Sequence, residues 1–399
     1  MKTAIRNFGS DTSGASAVIF SLVAVALVAV AGLTLDLQRG SNADNRLQAS
    51  LDSAALAGAK ALEDSSLTDA EVTALAEAAF AANMAGASSD LSCDELRVNI
   101  DRLSGRVRAD TGCRLPTTAA NLVQVNELSI NEASTARAAI TKLDVAMMLD
   151  VSGSMSGEKI EALKDAAGDA IDILVNKRTG DRVRVAFNSY STSVNAGSYL
   201  NAVTDPDDRR RSGSCVSERA GAWAWRDEAP GNRRWLGQDA TRCPASSVEP
   251  LTSEPARLKA AINDLVADGL TAGHIGVAWA WYLISPEWSS VWPAASAPLA
   301  YDAPNSKKAV ILMTDGEFNT AYARGQGNSA QQAKKLCRRM RDEGVIVYAV
   351  AFDAPWAAKR TLEDCAGSSD RYFEAGNSEE LRAAYRVIAS QLSNLSLTE

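Results

Sequence analysis

A short apolar run that ends in a carboxylate constrains this chain more than any other stretch. Residues Val145 to Leu149 are apolar, Asp150 follows them directly, and Ser152 and Ser154 come next at alternate positions. An apolar run of this length, bounded by turn residues, is typical of a buried strand. Asp150 is therefore predicted at the carboxyl end of a strand, where open α/β sheets bind ligands.

Two later stretches repeat parts of this arrangement. The run that begins at Val310 also ends in a carboxylate, Asp315, and Thr271 stands just before a helical pattern that continues to Ile284. Carboxylate and hydroxyl oxygens are hard ligands that suit Mg²⁺, Mn²⁺ or Ca²⁺ better than zinc. The alternative is that these residues are ordinary turn and helix-capping residues.

The motif D-x-S-x-S, a lone Thr and a late T-D-G together resemble the metal-ion-dependent adhesion site of von Willebrand factor type A domains. All five ligand positions of that motif are matched, by Asp150, Ser152, Ser154, Thr271 and Asp315. The resemblance implies a divalent cation, Mg²⁺ first, with Mn²⁺ or Ca²⁺ as alternatives. Because Mg²⁺ takes six ligands, one position should stay open, and a carboxylate from a protein partner would be the natural sixth ligand.

Strand and helix patterns alternate from residue 142 to residue 397, which predicts an α/β domain with a doubly wound, mostly parallel sheet. Two segments, 196–250 and 286–304, interrupt the alternation. The first is rich in Arg and Trp, which fits either a recognition surface or a disulfide-stapled loop with a small core of its own. Strand directions predict that both insertions start at the sheet edge opposite the metal ligands, on the side facing residues 36–141.

The amino terminus carries a candidate membrane anchor. No charged residue occurs from Thr12 to Leu35, and residues 15–35 are long enough to span a bilayer. A cleaved signal peptide is the alternative, but its apolar core would be shorter. Lys2 and Arg6 predict that residues 1–14 form a cytoplasmic tail and that the chain beyond Asp36 lies outside the cytoplasm.

Residues 36–141 are expected to form a periplasmic stalk. Helical patterns extend to about residue 85, with Gly40-Ser41 as a candidate joint in the first helix. Alternating residues at 96–100 and 105–108 predict a hairpin, and 123–130 alternate again. A mixed α/β stalk and a pilin-like helix laid on a small antiparallel sheet both remain open.

The cysteines agree with an extracytoplasmic location. All six follow the anchor, their number is even, and no C-x-x-C pair indicates zinc or thioredoxin chemistry. An oxidising compartment makes three disulfides the first expectation, and buried reduced thiols are the alternative. Neighbour pairing is predicted because each pair falls within one subregion: Cys93 with Cys113, Cys215 with Cys243, and Cys337 with Cys365.

The ends of the chain resemble a known family. FGSDTSGASA before the anchor and LQASLDSAALAGAKAL after it, to about residue 63, are similar to the amino-terminal signature of TadG-like proteins of Flp (tight adherence) pilus assembly. The segment from Thr361 to Leu395 is similar to the end of their von Willebrand type A domains. The resemblance implies a single-pass inner-membrane protein, mostly periplasmic, that works with pilus-assembly components.

The composition and the candidate site favour binding over catalysis. A net charge of −8 does not indicate a nucleic-acid partner. A metal-dependent hydrolase would need a nucleophile and a base beside the metal, and the one histidine, His274, is expected in the first turn of a helix. We therefore expect no enzyme activity, with the hydrolase as the alternative. A purely structural anchor with a vestigial site is disfavoured because every ligand position is kept.

Overall fold

The computed structural model describes residues 15–102, 105–138, 141–208 and 213–397. The chain divides into two compact units, one ending at Ala138 and the other beginning at Ala139. The predicted cytoplasmic tail and the arginines at 209–211 lie outside the described residues.

The amino-terminal unit is built on one long helix, α1, Ala15–Leu62. Within the described chain it is the one helix long and apolar enough to cross a membrane, and its most apolar window has a mean hydropathy of 2.7 and is exposed. The helix passes through Gly40 without a break, so the predicted joint is wrong. A Cβ atom at Gly40 would press on the Leu128 side chain, which explains the glycine by close packing.

A second helix, α2, Asp69–Met84, packs on the first and begins with a capping box formed by Thr68 and Glu71. Four antiparallel strands follow, and the third pairs with the other three. Their bounds are β1, Ser92–Cys93, β2, Arg97–Asp101, β3, Arg106–Pro116, and β4, Glu127–Arg137. The predicted hairpin is the β2–β3 pair.

Alternation along β3 explains the core of this unit. Val107, Ala109 and Leu115 are buried on one face, whereas the residues between them on the other face are exposed or half-buried. Leu47 and Leu51 of α1 are fully buried in the same unit, where they pack in a cluster that contains Ala109. A helix laid on a small antiparallel sheet is therefore the observed arrangement, which is one of the two that the sequence leaves open.

The carboxyl-terminal unit contains an eight-stranded sheet in the order β12-β11-β10-β5-β6-β7-β8, with β9 paired to β6. Strands β12, β11, β10, β5 and β6 are parallel, and β7, β8 and β9 pair antiparallel. The predicted doubly wound, mostly parallel sheet is confirmed. The bounds are β5, Lys142–Asp150, β6, Val183–Tyr190, β7, Val194–Asn195, β8, Cys215–Val216, β9, Glu249–Thr252, β10, Ser306–Thr314, β11, Ile346–Phe352, and β12, Tyr372–Ala375.

Helices cover both faces of this sheet, and alternate residues of β5 pack into the two hydrophobic cores on its opposite faces. Val145 and Met147 belong to one buried cluster, and Ala146 and Met148 belong to the other. The helices are α3, Glu158–Leu174, α4, Leu200–Val203, α5, Pro255–Asn263, α6, Gly273–Ile284, α7, Ser329–Asp342, α8, Trp356–Ala366, and α9, Ser378–Leu397.

The first insertion does not start where the strand directions predict. Val194 pairs with Tyr190 at the carboxyl end of β6, and β7 is only two residues long. The chain therefore enters the insertion at the ligand edge, because the return strand is too short to cross the sheet. The second insertion follows α6 to the opposite edge, as predicted, where the Leu299 amide donates to Asp144 near the start of β5.

Both insertions help to bury α6, in which all twelve residues are buried. Trp288 from the second insertion stacks on Tyr282 of α6, with the ring centroids 4.1 Å apart. Arg219 from the first insertion lies over the same two rings. Trp288 and Arg219 therefore pack into the domain and do not belong to an exposed recognition patch.

Three disulfides follow the predicted neighbour pairing: Cys93–Cys113, Cys215–Cys243 and Cys337–Cys365. The last joins α7 to α8, and both sulfur-bearing residues are fully buried.

The Cys337–Cys365 bond should make a measurable contribution to stability. For a sequence separation of 28 residues, the chain-entropy relation gives about 3–4 kcal/mol. The double variant Cys337→Ala/Cys365→Ala should therefore unfold at a lower denaturant concentration, as followed by circular dichroism. Peptide mass mapping of the unreduced wild type supplies the control, and a free thiol at either position would contradict the pairing.

Candidate metal centre

The five predicted ligands lie on three loops at one edge of the large sheet. Asp150 is the last residue of β5, and Ser152 and Ser154 occupy the turn that follows it. Asp315 comes directly after β10, which is the parallel neighbour of β5. Thr271 lies on the loop before α6. Since parallel neighbours present their carboxyl ends at the same edge, the fold brings together residues far apart in the sequence.

The hydroxyl and carboxylate groups converge closely. Ser154 Oγ donates to Asp315 Oδ1 at 2.6 Å and lies 3.1 Å from Ser152 Oγ. A Cβ atom built on Gly316 would be 3.6 Å from Ser154 Oγ and equally far from Thr271 Oγ1. The Thr271 hydroxyl therefore faces the same small region as the Ser154 hydroxyl.

Neighbouring polar groups fix the orientation of Asp150. Its Oδ1 atom accepts the Ser152 amide at 2.8 Å, and its Oδ2 atom accepts Tyr190 at 2.9 Å and Thr314 at 2.5 Å. Burial of this carboxylate raises the pKa of Asp150, although the hydrogen bonds from Ser152 and Thr314 oppose the rise. A bound cation would favour the ionised form, because an opposite charge nearby stabilises it.

Sequence reasoning missed Tyr190 and Thr314, although the positions of both carry a signal. Thr314 immediately precedes Asp315 in the T-D-G motif, and Tyr190 pairs with Asp150 across β5 and β6. Polar residues at the ends of β5, β10 and their neighbouring strands are therefore expected to contact the candidate ligands.

Sequence reasoning also missed a lysine beside the candidate ligands. Lys159 Nζ lies 3.0 Å from Asp315 Oδ2 and 3.0 Å from Asp353 Oδ2. Partial burial lowers the pKa of Lys159, but its hydrogen bonds to Asp315 and Asp353 outweigh burial and leave the pKa above its usual value. A protonated amine therefore neutralises part of the Asp315 charge that a cation would use.

His274 does not lie free beside the ligands as a general base. Its Nδ1 atom is 2.8 Å from Ser329 Oγ, and its Nε2 atom is 3.4 Å from Glu218 Oε1. The side chain is buried in the first turn of α6, as the sequence predicts. The imidazole thus links α6 to the start of α7 and to the first insertion.

The chemistry of the donor set fits a hard divalent cation. It consists of two carboxylates and three hydroxyls, and among the described residues no cluster of three or more His, Cys, Asp or Glu side chains is placed to hold a metal ion. Oxygen-only donors of this kind favour Mg²⁺, Mn²⁺ or Ca²⁺. Asp150, Ser152, Thr271 and Asp315 are buried, whereas Ser154 is exposed, so the site opens to solvent on the Ser154 side.

Known proteins resemble this chain in two regions. Residues 14–61 match the family described as putative Flp pilus-assembly TadE/G-like. This matching segment precedes the domain that carries the doubly wound, mostly parallel sheet. No curated protein sequence matches it.

Similar solved structures include the von Willebrand factor domain of the type V pili tip protein Mfa5 from Porphyromonas gingivalis, with 13% identity and a TM-score of 0.42 over 65% of this chain and 97% of that one. The pilus adhesin SpaC from Lactobacillus rhamnosus GG has 12% identity and a TM-score of 0.40, over 76% of this chain and 34% of that one. Proximal thread matrix protein 1 from the mussel byssus, with a zinc-occupied MIDAS motif, has 16% identity and a TM-score of 0.37, over 63% and 48%. Because these TM-scores are below 0.5, the assignment of a doubly wound, mostly parallel sheet rests on the strand order of this chain itself.

Removing the competing amine should strengthen cation binding by the carboxyl-terminal domain. In Lys159→Met, Asp315 loses its 3.0 Å partner, so the affinity for Mg²⁺ measured by calorimetry should rise roughly ten-fold, the scale expected for one nearby charge. Lys164→Met is the matched control, because Lys164 is on the same helix and pairs with Glu161. Equal affinities in both variants would contradict competition by Lys159.

Proposed function

We propose that this protein is a membrane-anchored component of Flp (Tad) pilus assembly that binds a protein partner through a divalent cation. The cation would be held by Asp150, Ser152, Ser154, Thr271 and Asp315. The observation that carries this proposal is the convergence of Ser154, Thr271 and Asp315 around Gly316. The TadE/G-like segment at residues 14–61 supports the pilus-assembly context.

The donor set favours a partner that supplies a carboxylate. Two carboxylates match the charge of a divalent cation, and the hydroxyls add none, so the five candidate ligands leave one position of an octahedral ion open without excess negative charge to repel a further anion. Ser154 marks the solvent-facing side of the site. An acidic side chain of a partner could therefore approach there and complete the coordination, and Mg²⁺ is our first choice of ion.

Binding is favoured over metal-dependent hydrolysis by the groups around the ligands. His274 is buried and hydrogen-bonds to Ser329 through Nδ1, and Lys159 is ion-paired with two carboxylates. A hydrolase would need a base within reach of a water or of the substrate. The burial of His274 and the raised pKa of the Lys159 amine oppose a role as the base for either residue.

Metal binding should stabilise the folded domain. In the detergent-solubilised full chain, saturating Mg²⁺ or Mn²⁺ should raise the melting temperature relative to chelator. The reason is that bound metal adds to the free energy of unfolding an amount set by free metal over its dissociation constant, about 2.7 kcal/mol at 100-fold excess. Asp150→Ala should abolish the shift, since a charge and a ligand are lost together. Ser152→Ala removes a neutral ligand and should reduce the shift less.

The same variants test partner binding. Crosslinked complexes recovered with the wild type should include a defined pilus-assembly component that is lost with chelator and with Asp150→Ala, but retained with Lys164→Met. If the wild-type melting temperature is the same with Mg²⁺, Mn²⁺, Zn²⁺ and chelator, and calorimetry detects no heat of binding, the metal site is ruled out. The fold assignment would be unaffected by this result.

We also propose that the amino end lies in the cytoplasm and the bulk of the chain in the periplasm of a bacterial inner membrane. The support is Lys2 and Arg6 before the apolar helix, and three disulfides that need an oxidising compartment.

Protease accessibility tests this topology. Protease added to spheroplasts should digest the chain beyond about Asp36, including the tryptophan-containing domain, and leave a short amino-terminal fragment protected. A cytoplasmic protein serves as the control for intact spheroplasts. Full protection of the von Willebrand factor type A domain would show the opposite orientation.

A further inference from the structure

The loop that joins β3 to β4 exposes an apolar surface. Residues 115–126 contain no charge, in contrast to Arg114 before them and Glu127 after them. Leu122 is 77% exposed, Val123 63% and Val125 43%. Neighbouring exposed apolar side chains on a small loop usually mark a contact surface.

This loop contacts the long helix within its apolar segment. Ala119 packs so tightly on Gly32 that a Cβ atom at Gly32 would overlap the Ala119 methyl group. Residues 15–35 span about 30 Å as a helix, which is the thickness of the hydrocarbon layer. Because Gly32 precedes the end of that segment, the loop reaches the level at which the helix meets the hydrocarbon boundary.

A buried carboxylate holds the loop at this level. Asp36, one residue past the apolar segment, accepts the backbone amides of Thr118, Ala119 and Ala120 at 2.7–3.0 Å. These hydrogen bonds, with that from Ala120 the strongest, lower the pKa of Asp36 to about 2. Arg39 adds a hydrogen bond to Thr118 at 2.8 Å. The Asp36 carboxylate therefore holds the loop on the helix through three backbone amides.

The loop backbone is suited to an environment with little water. Seven of its amides donate to Asp36 or to carbonyls of the loop itself, at Thr117, Thr118, Ala119, Ala120, Leu122, Gln124 and Val125. Backbone groups that enter the bilayer must be satisfied internally, because lipid tails offer no hydrogen bonds. The pairing of these seven amides lowers the free-energy cost of placing the loop against lipid.

We propose that the 117–126 loop is a second membrane contact, which places Leu122 and Val123 in the lipid at the boundary where α1 emerges from the bilayer. The occupant of the apolar surface is the lipid itself, because the loop packs on Gly32 within the helix segment whose apolar side chains are exposed. This inference rests on the proposed membrane anchor. It assigns Asp36 as the residue that positions the loop.

Photocrosslinking in the full chain tests this contact. A photoreactive amino acid is placed singly at Leu122, Val123, Leu27 or Leu75, and the protein is reconstituted in vesicles of phosphatidylcholine and phosphatidylglycerol. Leu27 lies in the apolar helix and reports the anchor. Leu75 is a matched exposed leucine on α2, next to Ala76, which packs against Gly58 far along α1 from Asp36. Lipid adducts are measured by mass spectrometry.

Positions 122 and 123 should yield lipid adducts at least five-fold above position 75. Adducts at 27 but not at 122 or 123 would overturn the inference while the anchor stands. No adduct at 27 would overturn the anchor and the inference with it. In native membranes, capture of protein rather than lipid at 122 would also overturn it.

Asp36→Asn provides an independent test, because the amide has one acceptor oxygen and no charge to hold three N–H groups. Lipid capture at 122 should fall at least two-fold in this variant, whereas capture at 27 should stay unchanged. Unchanged capture at both positions would overturn the role of Asp36.

Discussion

The parallel pairing of β5 with β10 determines where the candidate metal ligands of the large domain lie. Val145 stands opposite Ala309 and Met148 opposite Leu312, so the two strands end at nearly the same level. A parallel neighbour cannot be reached by a tight turn, and a crossover must separate the two strands in the sequence. Two carboxylates that are distant in the chain therefore meet, and a shift of register would separate them.

Bringing two carboxylates together inside a fold carries an electrostatic cost. Asp150 is fully buried and Asp315 nearly so, and an unpaired buried charge is strongly disfavoured. The structure meets this cost with hydroxyl donors at Asp150 and with the Lys159 amine at Asp315. The same lysine explains how the candidate ligands remain assembled in the absence of a cation.

The strands, the helices and the placement of the candidate ligands at strand ends and loops could be predicted because each depends on local pattern. An apolar run ending in Asp150 defines a strand end, whatever lies elsewhere in the chain. The origin of the first insertion could not be predicted, because it depended on β7 being two residues long, and nothing in the sequence near Val194 indicates that length. Lys159 was missed for a related reason: its role depends on how α3 packs against the loop after β11 that carries Asp353.

Glycine and backbone hydrogen bonds explain how three loops hold five ligands without a rigid scaffold of their own. The Gly153 amide donates to the Gly269 carbonyl at 2.9 Å, which joins the serine turn to the Thr271 loop. A Cβ atom at Gly273 would overlap the Phe318 ring, so the helix after Thr271 can pack on the loop after Asp315 only with glycine there. The ligands are thus positioned by packing between loops. A cation would bind to groups that already converge, and Gly273→Ala would disturb the site without altering any ligand.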